Sequence, residues 1–354
     1  MTSDPTAAEI GARLLAHLRR MDGMDSVEYA EPPSPIRGGF ETLIFAFRLA
    51  HAPPAFDGAL ILRLFREADA EPRARFEAAV NGAIARLGYP APNVRHWSPD
   101  ASLLGGAFLI LERLPGENLL ARIASPALLR LPTLLADAQL RLHALDPAPV
   151  RRALEAAGFP PERLHPAAEI EEIAERVQTL GLVGLEPGVA WLRARLPAAK
   201  GAAVVCHGDF HPLNVLARAG RVTGVVDWTL RHLKLAEPAY DVGATLVLLS
   251  QAPVDVPWWL RGAARGVRRR IVRAYLARYQ ARTPLAAPAL GSYEALRLLG
   301  CLQEAGEHRL ADLGRAARPR KPTAFASPEV QAGMLARFRA LTGVAISLPP
   351  DSRR

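Results

Sequence analysis

Apolar residues in the first third of the chain fall into two alternating periods. Leu43, Phe45, Phe47 and Leu49 recur at every second position, as do Ile61, Arg63 and Phe65 within Ala59 to Phe65. That is the period of a half-buried strand. Asn93 to Trp97 and Ala107 to Glu112 give two more short strands. From Pro72 to about Leu87 the period changes, and Phe76, Val80, Ala83 and Leu87 lie along one helical face. Residues 6–21 place Ile10, Leu14, Leu18 and Met21 on another. Pro32, Pro33 and Pro35 are expected to break the chain between that first helix and the strands. The expected product is a small antiparallel sheet carrying one main helix.

The pattern shifts at Glu112-Arg113-Leu114-Pro115-Gly116-Glu117-Asn118, a short connector rich in turn residues. Beyond it helical spacing dominates: Leu128 to Leu145 with Pro132 near its start, Glu169 to Leu180, then roughly 239–250, 258–281, 289–314 and 328–341. The exception is a β element formed by apolar runs around 204–216 and 222–226. The chain's 354 residues exceed what one core usually organises, so an α+β, two-lobed arrangement is expected. Its parts are an N-terminal lobe at 1–112, a hinge at 113–118 and a larger helical lobe at 119–354.

Composition narrows the function classes. Half the residues are apolar, yet no run approaches the ~20 residues of a membrane span. Met1-Thr2-Ser3-Asp4-Pro5 has neither a basic n-region nor an apolar h-region, so no secretory signal is expected. Two cysteines, Cys206 and Cys301, are too few for a disulfide framework and suit a reducing cytoplasm. The net charge is +9, but no aromatic-basic motif or finger spacing points to nucleic acid. Arg261, Arg265, Arg268, Arg269, Arg270, Arg273, Arg278 and Arg282 crowd one segment, with Val272, Tyr275, Leu276 and Tyr279 as its buried face. The preferred reading is a solvated helix; the alternative is a surface that attracts an anionic substrate or partner.

The chemistry concentrates in Val204-Val205-Cys206-His207-Gly208-Asp209-Phe210-His211-Pro212-Leu213-Asn214-Val215-Leu216, followed by Val222-Thr223-Gly224-Val225-Val226-Asp227-Trp228. A hairpin would bring Asp209, Asn214 and Asp227 together. Carboxylate and amide oxygens are hard ligands that suit Mg²⁺. One acid binding metal while the other accepts a hydroxyl proton is the layout of phosphoryl transfer. His207 is expected to support the loop, and Cys206 to be a small buried residue rather than a nucleophile. The alternating His207, Asp209 and His211 also allow a zinc-dependent hydrolase, with His232 as the remaining candidate ligand.

His207-Gly208-Asp209-Phe210-His211-Pro212-Leu213-Asn214 with Val225-Val226-Asp227-Trp228 resembles the aminoglycoside phosphotransferase family. That family is related to choline kinases and shares the protein-kinase-like fold. The resemblance runs from about Ile36 to the helix near 310. It implies ATP and Mg²⁺ as cofactors and a small-molecule hydroxyl as acceptor. Asp209 is implied as catalytic base, and Asn214 and Asp227 as metal ligands. Gly38 and Gly39 would cover phosphate, and Glu112 and Leu114 would frame adenine at the hinge. His143 and Asp241 are implied as structural. Arg63 stands where the family usually carries a phosphate-binding Lys, with Glu77 as its expected partner and Glu71 as the second choice. Gly208 and Trp228-Thr229 depart from the protein-kinase pattern and favour a small acceptor. The acids expected near that acceptor are Glu169, Glu171, Glu172, Glu175, Glu304 and Glu307. The competing expectation is a catalytically weak nucleotide binder that acts through partners.

Overall fold

A five-stranded antiparallel sheet occupies the N-terminal third, and helices wrapped around two small β elements make up the rest. The computed structural model describes residues 6–36, 42–121, 129–196, 203–251, 259, 261–319 and 323–351. The first part runs α1 (Ala7–Leu18), β1 (Glu28–Pro35), β2 (Thr42–Ala50), β3 (Ala59–Phe65), α2 (Ala70–Arg86), β4 (Val94–Ser98), α3 (Ala101–Leu104) and β5 (Ala107–Glu112). It continues through β6 (Glu117–Asn118), α4 (Leu131–His143), α5 (Pro147–Ala156), α6 (Pro166–Thr179) and α7 (Glu186–Arg195). Next come β7 (Val204–Cys206), β8 (Val215–Arg218), β9 (Arg221–Val225) and β10 (Lys234–Ala236). Four helices close the order: α8 (Pro238–Gln251), α9 (Arg261–Gln280), α10 (Ala287–Asp312) and α11 (Pro328–Thr342).

The sheet order is β1-β2-β3-β5-β4, so β3 lies at its centre. Helix α1 covers one face: Ile10, Leu14 and Leu18 join Phe45, Phe47, Leu60, Leu62, Leu64, Phe108 and Ile110 in one apolar cluster. Thr6 and Glu9 close α1 with reciprocal hydrogen bonds at its N-terminus. Helix α2 meets the other face through Ala74, beside Phe65 and Leu109. Its Phe76, Val80 and Ile84 turn the other way, into a core shared with Leu135, Leu142, Phe159 and Trp228. The same helix therefore belongs to both cores and fixes the sheet against the helical part.

Three expectations need correction. Pro32, Pro33 and Pro35 do not break the chain: they lie in β1, an edge strand with irregular register against β2. An edge strand tolerates the missing amides, and Pro33 also packs against Gly11 of α1. Helices α5 and α7 are additional to the expected set; α5 starts where the Asp146 side chain caps the Ala148 amide, just before Pro147. The first helix ends at Leu18 rather than residue 21.

Candidate active site

The sequence around 204–228 builds a rigid hairpin. Strands β8 and β9 are joined at Ala219 and Gly220, both at positive φ (50° and 74°), the backbone of a tight two-residue hairpin turn. Val215 therefore faces Val225, and the Val226 amide donates to the Asn214 carbonyl at 2.9 Å. This register sets Asn214 beside the start of the Val226-Asp227-Trp228 segment. Asp227 itself has φ 68°, a left-handed conformation uncommon outside glycine. Trp228 anchors that turn. Its indole N–H donates to the Val225 carbonyl at 2.9 Å, and its ring lies 4.5 Å from the His207 ring.

The loop before β8 is held from beneath. Asp241, fully buried at the start of α8, accepts from the His207 amide at 3.1 Å, the Gly208 amide at 2.7 Å and His143 Nε2 at 3.0 Å. Burial opposes its ionisation, but His143 and His207 outweigh that and lower its pKa. His143 Nδ1 meets the Tyr279 hydroxyl of α9 at 2.5 Å. The arginine-rich helix thus contributes its buried tyrosine face to the support of this loop, while Arg278 pairs with Asp137 at 2.8 Å on its outer side. Gly208 has φ 73°, and a Cβ there would lie 2.0 Å from the His232 carbonyl oxygen.

These contacts leave no room for the zinc arrangement. His207 Nε2 faces the Val226 carbonyl at 3.0 Å, and its Nδ1 accepts from the Asp209 amide at 3.2 Å. Burial lowers its pKa. His211 Nδ1 accepts from the Leu213 amide at 3.3 Å, and its Nε2 faces Asp209 Oδ2 at 3.3 Å. Both rings are spent on loop structure. Cys206 is buried with its thiol pKa raised, first by burial and then by the Asp241 charge. It does not present a nucleophile.

Asp209, Asn214 and Asp227 come together as the hairpin predicts. Asn214 Nδ2 donates to the Asp209 carbonyl at 3.0 Å and to its Oδ2 at 3.3 Å. Asn214 Oδ1 accepts no hydrogen bond among the described residues. Asp227 is the more open acid, with 43% of its side chain exposed. An amide oxygen and an exposed carboxylate on neighbouring backbone are a donor set that fits a hard divalent cation.

Arg63 lies on central strand β3, opposite Ile44 of β2 and Leu109 of β5. Its Nε is 3.1 Å from Glu77 Oε2, and its Nη2 is 3.2 Å from Glu77 Oε1 and 3.3 Å from Asp227 Oδ1. Burial works against the charge, but Glu77 and Asp227 outweigh it and raise the Arg63 pKa. The expected partner Glu77 is therefore in place, whereas Glu71 pairs with Arg75 at 3.3 Å within α2. One guanidinium joins sheet, helix and hairpin.

Glu112 ends β5 with its side chain tied to Asn93 Nδ2 at 2.6 Å and its amide to the Asn93 carbonyl at 2.9 Å. Leu114 packs over Gly224 of β9, where a Cβ would come within 2.7 Å of Leu114 Cδ1. Gly38 and Gly39 lie outside the described residues.

One residue of the site escaped sequence reasoning. Arg297 of α10 reaches Asp209 Oδ1 with Nη2 at 2.6 Å and His232 Nδ1 with Nη1 at 3.1 Å. Burial opposes ionisation of Asp209, but Arg297, then His211 and His232, outweigh it and hold the carboxyl well below its ordinary range. The available signal was a lone arginine amid Leu296, Leu298 and Leu299, one helical turn from Tyr293 and Cys301. The six acids expected near the acceptor are largely engaged. Glu304 pairs with Arg231 at 2.8 Å, Glu171 with Arg193, and Glu307 with Arg176. Glu169 accepts from the Tyr240 hydroxyl at 2.7 Å.

Comparison with known proteins agrees with the fold. A structure from Ralstonia eutropha JMP134, described as a candidate aminoglycoside phosphotransferase, superposes with TM-score 0.64 at 17% identity, covering 94% of this chain and 98% of that one. Aminoglycoside phosphotransferase APH(4)-Ia gives TM-score 0.61 at 18% identity, covering 96% and 99%. Macrolide 2'-phosphotransferase type I gives 0.51 at 17%, covering 95% and 99%. These likenesses establish the protein-kinase-like architecture. The profile of the phosphotransferase enzyme family (APH) matches residues 33–299, three-quarters of the sequence, and the chain belongs to that family.

Proposed function

We propose that the protein transfers the γ-phosphoryl group of ATP to a hydroxyl of a small molecule. The observation that carries this reading is the cluster in which Asp209, Asn214 and Asp227 share one hairpin mouth and Arg63 reaches Asp227 from the sheet. Such a site has little covalent chemistry to perform; positioning and charge stabilisation do most of the work. Asp209 accepts a hydrogen bond from the attacking hydroxyl and takes its proton as the O–P bond forms. Its low basicity suits a late proton transfer, with orientation as its main contribution. Asn214 Oδ1 and the Asp227 carboxylate would hold Mg²⁺. When bound, Mg²⁺–ATP supplies the phosphoryl group and a cation that offsets charge on the phosphate oxygens.

Arg63 contributes a second cation toward the phosphates, steadied by Glu77. Arginine presents a planar fork where lysine would present a point charge. Residues 113–118 would form the hinge between an N-terminal lobe at 1–112 and the remainder. There the Leu114 amide, which has no hydrogen-bond partner among the described residues, would donate to adenine. His207 is a positioning residue, fixing the Asp209 backbone through its ring. A structure of APH(4)-Ia is a ternary complex with AMP-PNP and hygromycin B, which supports nucleotide use by the shared fold. No helix among the described residues is long and apolar enough to cross a membrane.

The test is acceptor-dependent ADP release with Mg²⁺–ATP over a panel of alcohols, sugars and aminoglycosides, with Asp209→Asn and Asp227→Asn alongside. Asp209→Asn should retain nucleotide binding and lose turnover by about 10²-fold or more. Asp227→Asn should weaken Mg²⁺–nucleotide binding itself. Nucleotide binding without any acceptor-dependent turnover would argue for a binding protein instead.

A further inference from the structure

We propose that the acceptor carries an anionic group, a carboxylate or phosphate, close to the hydroxyl that is phosphorylated, and that Arg297 receives it. This rests on the phosphotransfer reading above and names the substrate class for that site.

The argument starts from the two oxygens of Asp209. Oδ2 is occupied by His211 Nε2 and Asn214 Nδ2, both at 3.3 Å and both fixed by the loop. Oδ1 is the oxygen that Arg297 holds, at 2.6 Å. An acceptor hydroxyl that is to donate to Asp209 therefore shares Oδ1 with Arg297 or loosens its hold there. The pair is shielded, with 13% and 17% of the two side chains exposed, so water is a poor substitute partner. A neutral acceptor that loosened that hold would leave a buried guanidinium without its nearest counter-charge, with Glu169 and Glu304 acting on it only from further off. An ammonium group would add a like charge beside it. A carboxylate or phosphate on the acceptor offers Arg297 an equivalent anion and releases Oδ1 to the hydroxyl.

Two further observations point the same way. Arg297 Nε is buried and has no hydrogen-bond partner among the described residues, so the guanidinium edge retains a donor for an oxyanion. Four of the six acids that a polycationic acceptor would seek are engaged by the protein's own groups: Glu304 by Arg231, Glu171 by Arg193, Glu307 by Arg176 and Glu169 by the Tyr240 hydroxyl. Glu169 and Glu304 act on Arg297, but both are already engaged, so what the free edge of Arg297 lacks is an oxyanion.

The experiment compares matched acceptors that differ only in charge, on a three-carbon and a hexose scaffold. These are glycerate, glycerol 3-phosphate, glycerol and 3-amino-1,2-propanediol, and glucuronate, glucose and glucosamine. kcat/KM is read with wild type, Arg297→Lys and Arg297→Gln, and nucleotide binding is followed separately by the thermal shift with Mg²⁺ and AMP-PNP. The wild type should favour an anionic member over its ammonium counterpart by at least about 30-fold, the lower end for loss of a buried charge partner. Arg297→Gln should erase the preference, Arg297→Lys should keep part of it, and the nucleotide shift should persist in all three. Preference for the amine, or equal treatment of every charge class with silence included, overturns the inference. A retained preference in Arg297→Gln overturns the assignment to Arg297. Failure of the wild type to bind nucleotide overturns the phosphotransfer reading beneath it, whatever the acceptors do.

Discussion

Replacing Asp241 with Asn tests whether the site loop is held from beneath by one carboxylate. Oδ2 accepts from the His207 amide and His143 Nε2, and Oδ1 accepts from the Gly208 amide, all in the interior. Asn has nearly the same volume, so packing changes little. Its one carbonyl oxygen can serve one side of the old carboxylate, and its NH₂ then confronts a donor on the other. If the oxygen takes the place of Oδ2, the Gly208 amide is left unpaired against another N–H. An unsatisfied buried donor costs about 1–3 kcal/mol. The remaining bonds lose their charge assistance, so about 3 kcal/mol in total is expected. That is a large share of the ~5–15 kcal/mol by which folded domains persist. Urea unfolding should show a lower midpoint at unchanged slope. Hydrogen exchange should show the His207 and Gly208 amides losing protection ahead of the sheet amides. Turnover should fall more than nucleotide affinity, because the displaced loop carries Asp209. A variant within ~0.5 kcal/mol of wild type, with both amides still protected, would refute the reasoning.

Other outcomes follow from the same contacts. Arg63→Met removes the cation beside buried Glu77, whose side chain is 3% exposed, and should cost about 3–5 kcal/mol by urea unfolding. Gly208→Ala forces a Cβ to 2.0 Å from the His232 carbonyl at φ 73°. The left-handed strain alone is about 1–2 kcal/mol, and a thermal melt together with loss of turnover should report the combined effect. Asp209 and Asp241 both have folded-state pKa values below their ordinary range. Their stabilisation is therefore fully present above the unfolded carboxyl value of about 4 and is lost as pH falls through the depressed folded values. Unfolding free energy should be flat near neutrality and drop in acid. Asp241→Asn should show a shallower acid limb than wild type.

Much of the site was legible because it is local. Asp209 and Asn214 sit on one loop, and the Ala219-Gly220 turn returns the chain to Asp227, so a short segment specifies their meeting. The strand holding Arg63 and the helix holding Glu77 were legible from periodicity, and their contact spans 14 positions. Arg297 was not, because its contact with Asp209 spans 88 positions and depends on how α10 packs against α8 and the loop. Helical spacing marks Arg297 as inward-facing but does not say what it meets. Strand β1 was missed for a different reason. Proline is a reliable breaker within a sheet, but edge position depends on strand order, which local sequence does not encode. Strand β10 is only Lys234–Ala236, too short for a period, and exists through pairing with β7.

The two aspartates of the hairpin mouth are each met by an arginine from elsewhere in the chain, and the pairs differ in a way that bears on specificity. Arg63 reaches Asp227 at 3.3 Å, and that carboxylate is 43% exposed. Solvent screens such a contact, so its loss is inexpensive, and Glu77 still neutralises Arg63 when Asp227 turns to another cation. Arg297 and Asp209 are closer and shielded, and the acids that act on Arg297 from further off, Glu169 and Glu304, are held by Tyr240 and Arg231. Exchange at Asp227 therefore asks little of the incoming partner beyond charge and hard oxygen chemistry, which suits a nucleotide–metal complex common to many phosphotransferases. Exchange at Asp209 asks for a matching anion. On the proposed reading, discrimination among acceptors thus arises at the arginine that opposes the catalytic base, and a change of acceptor class would require altering Arg297 before any surface acid.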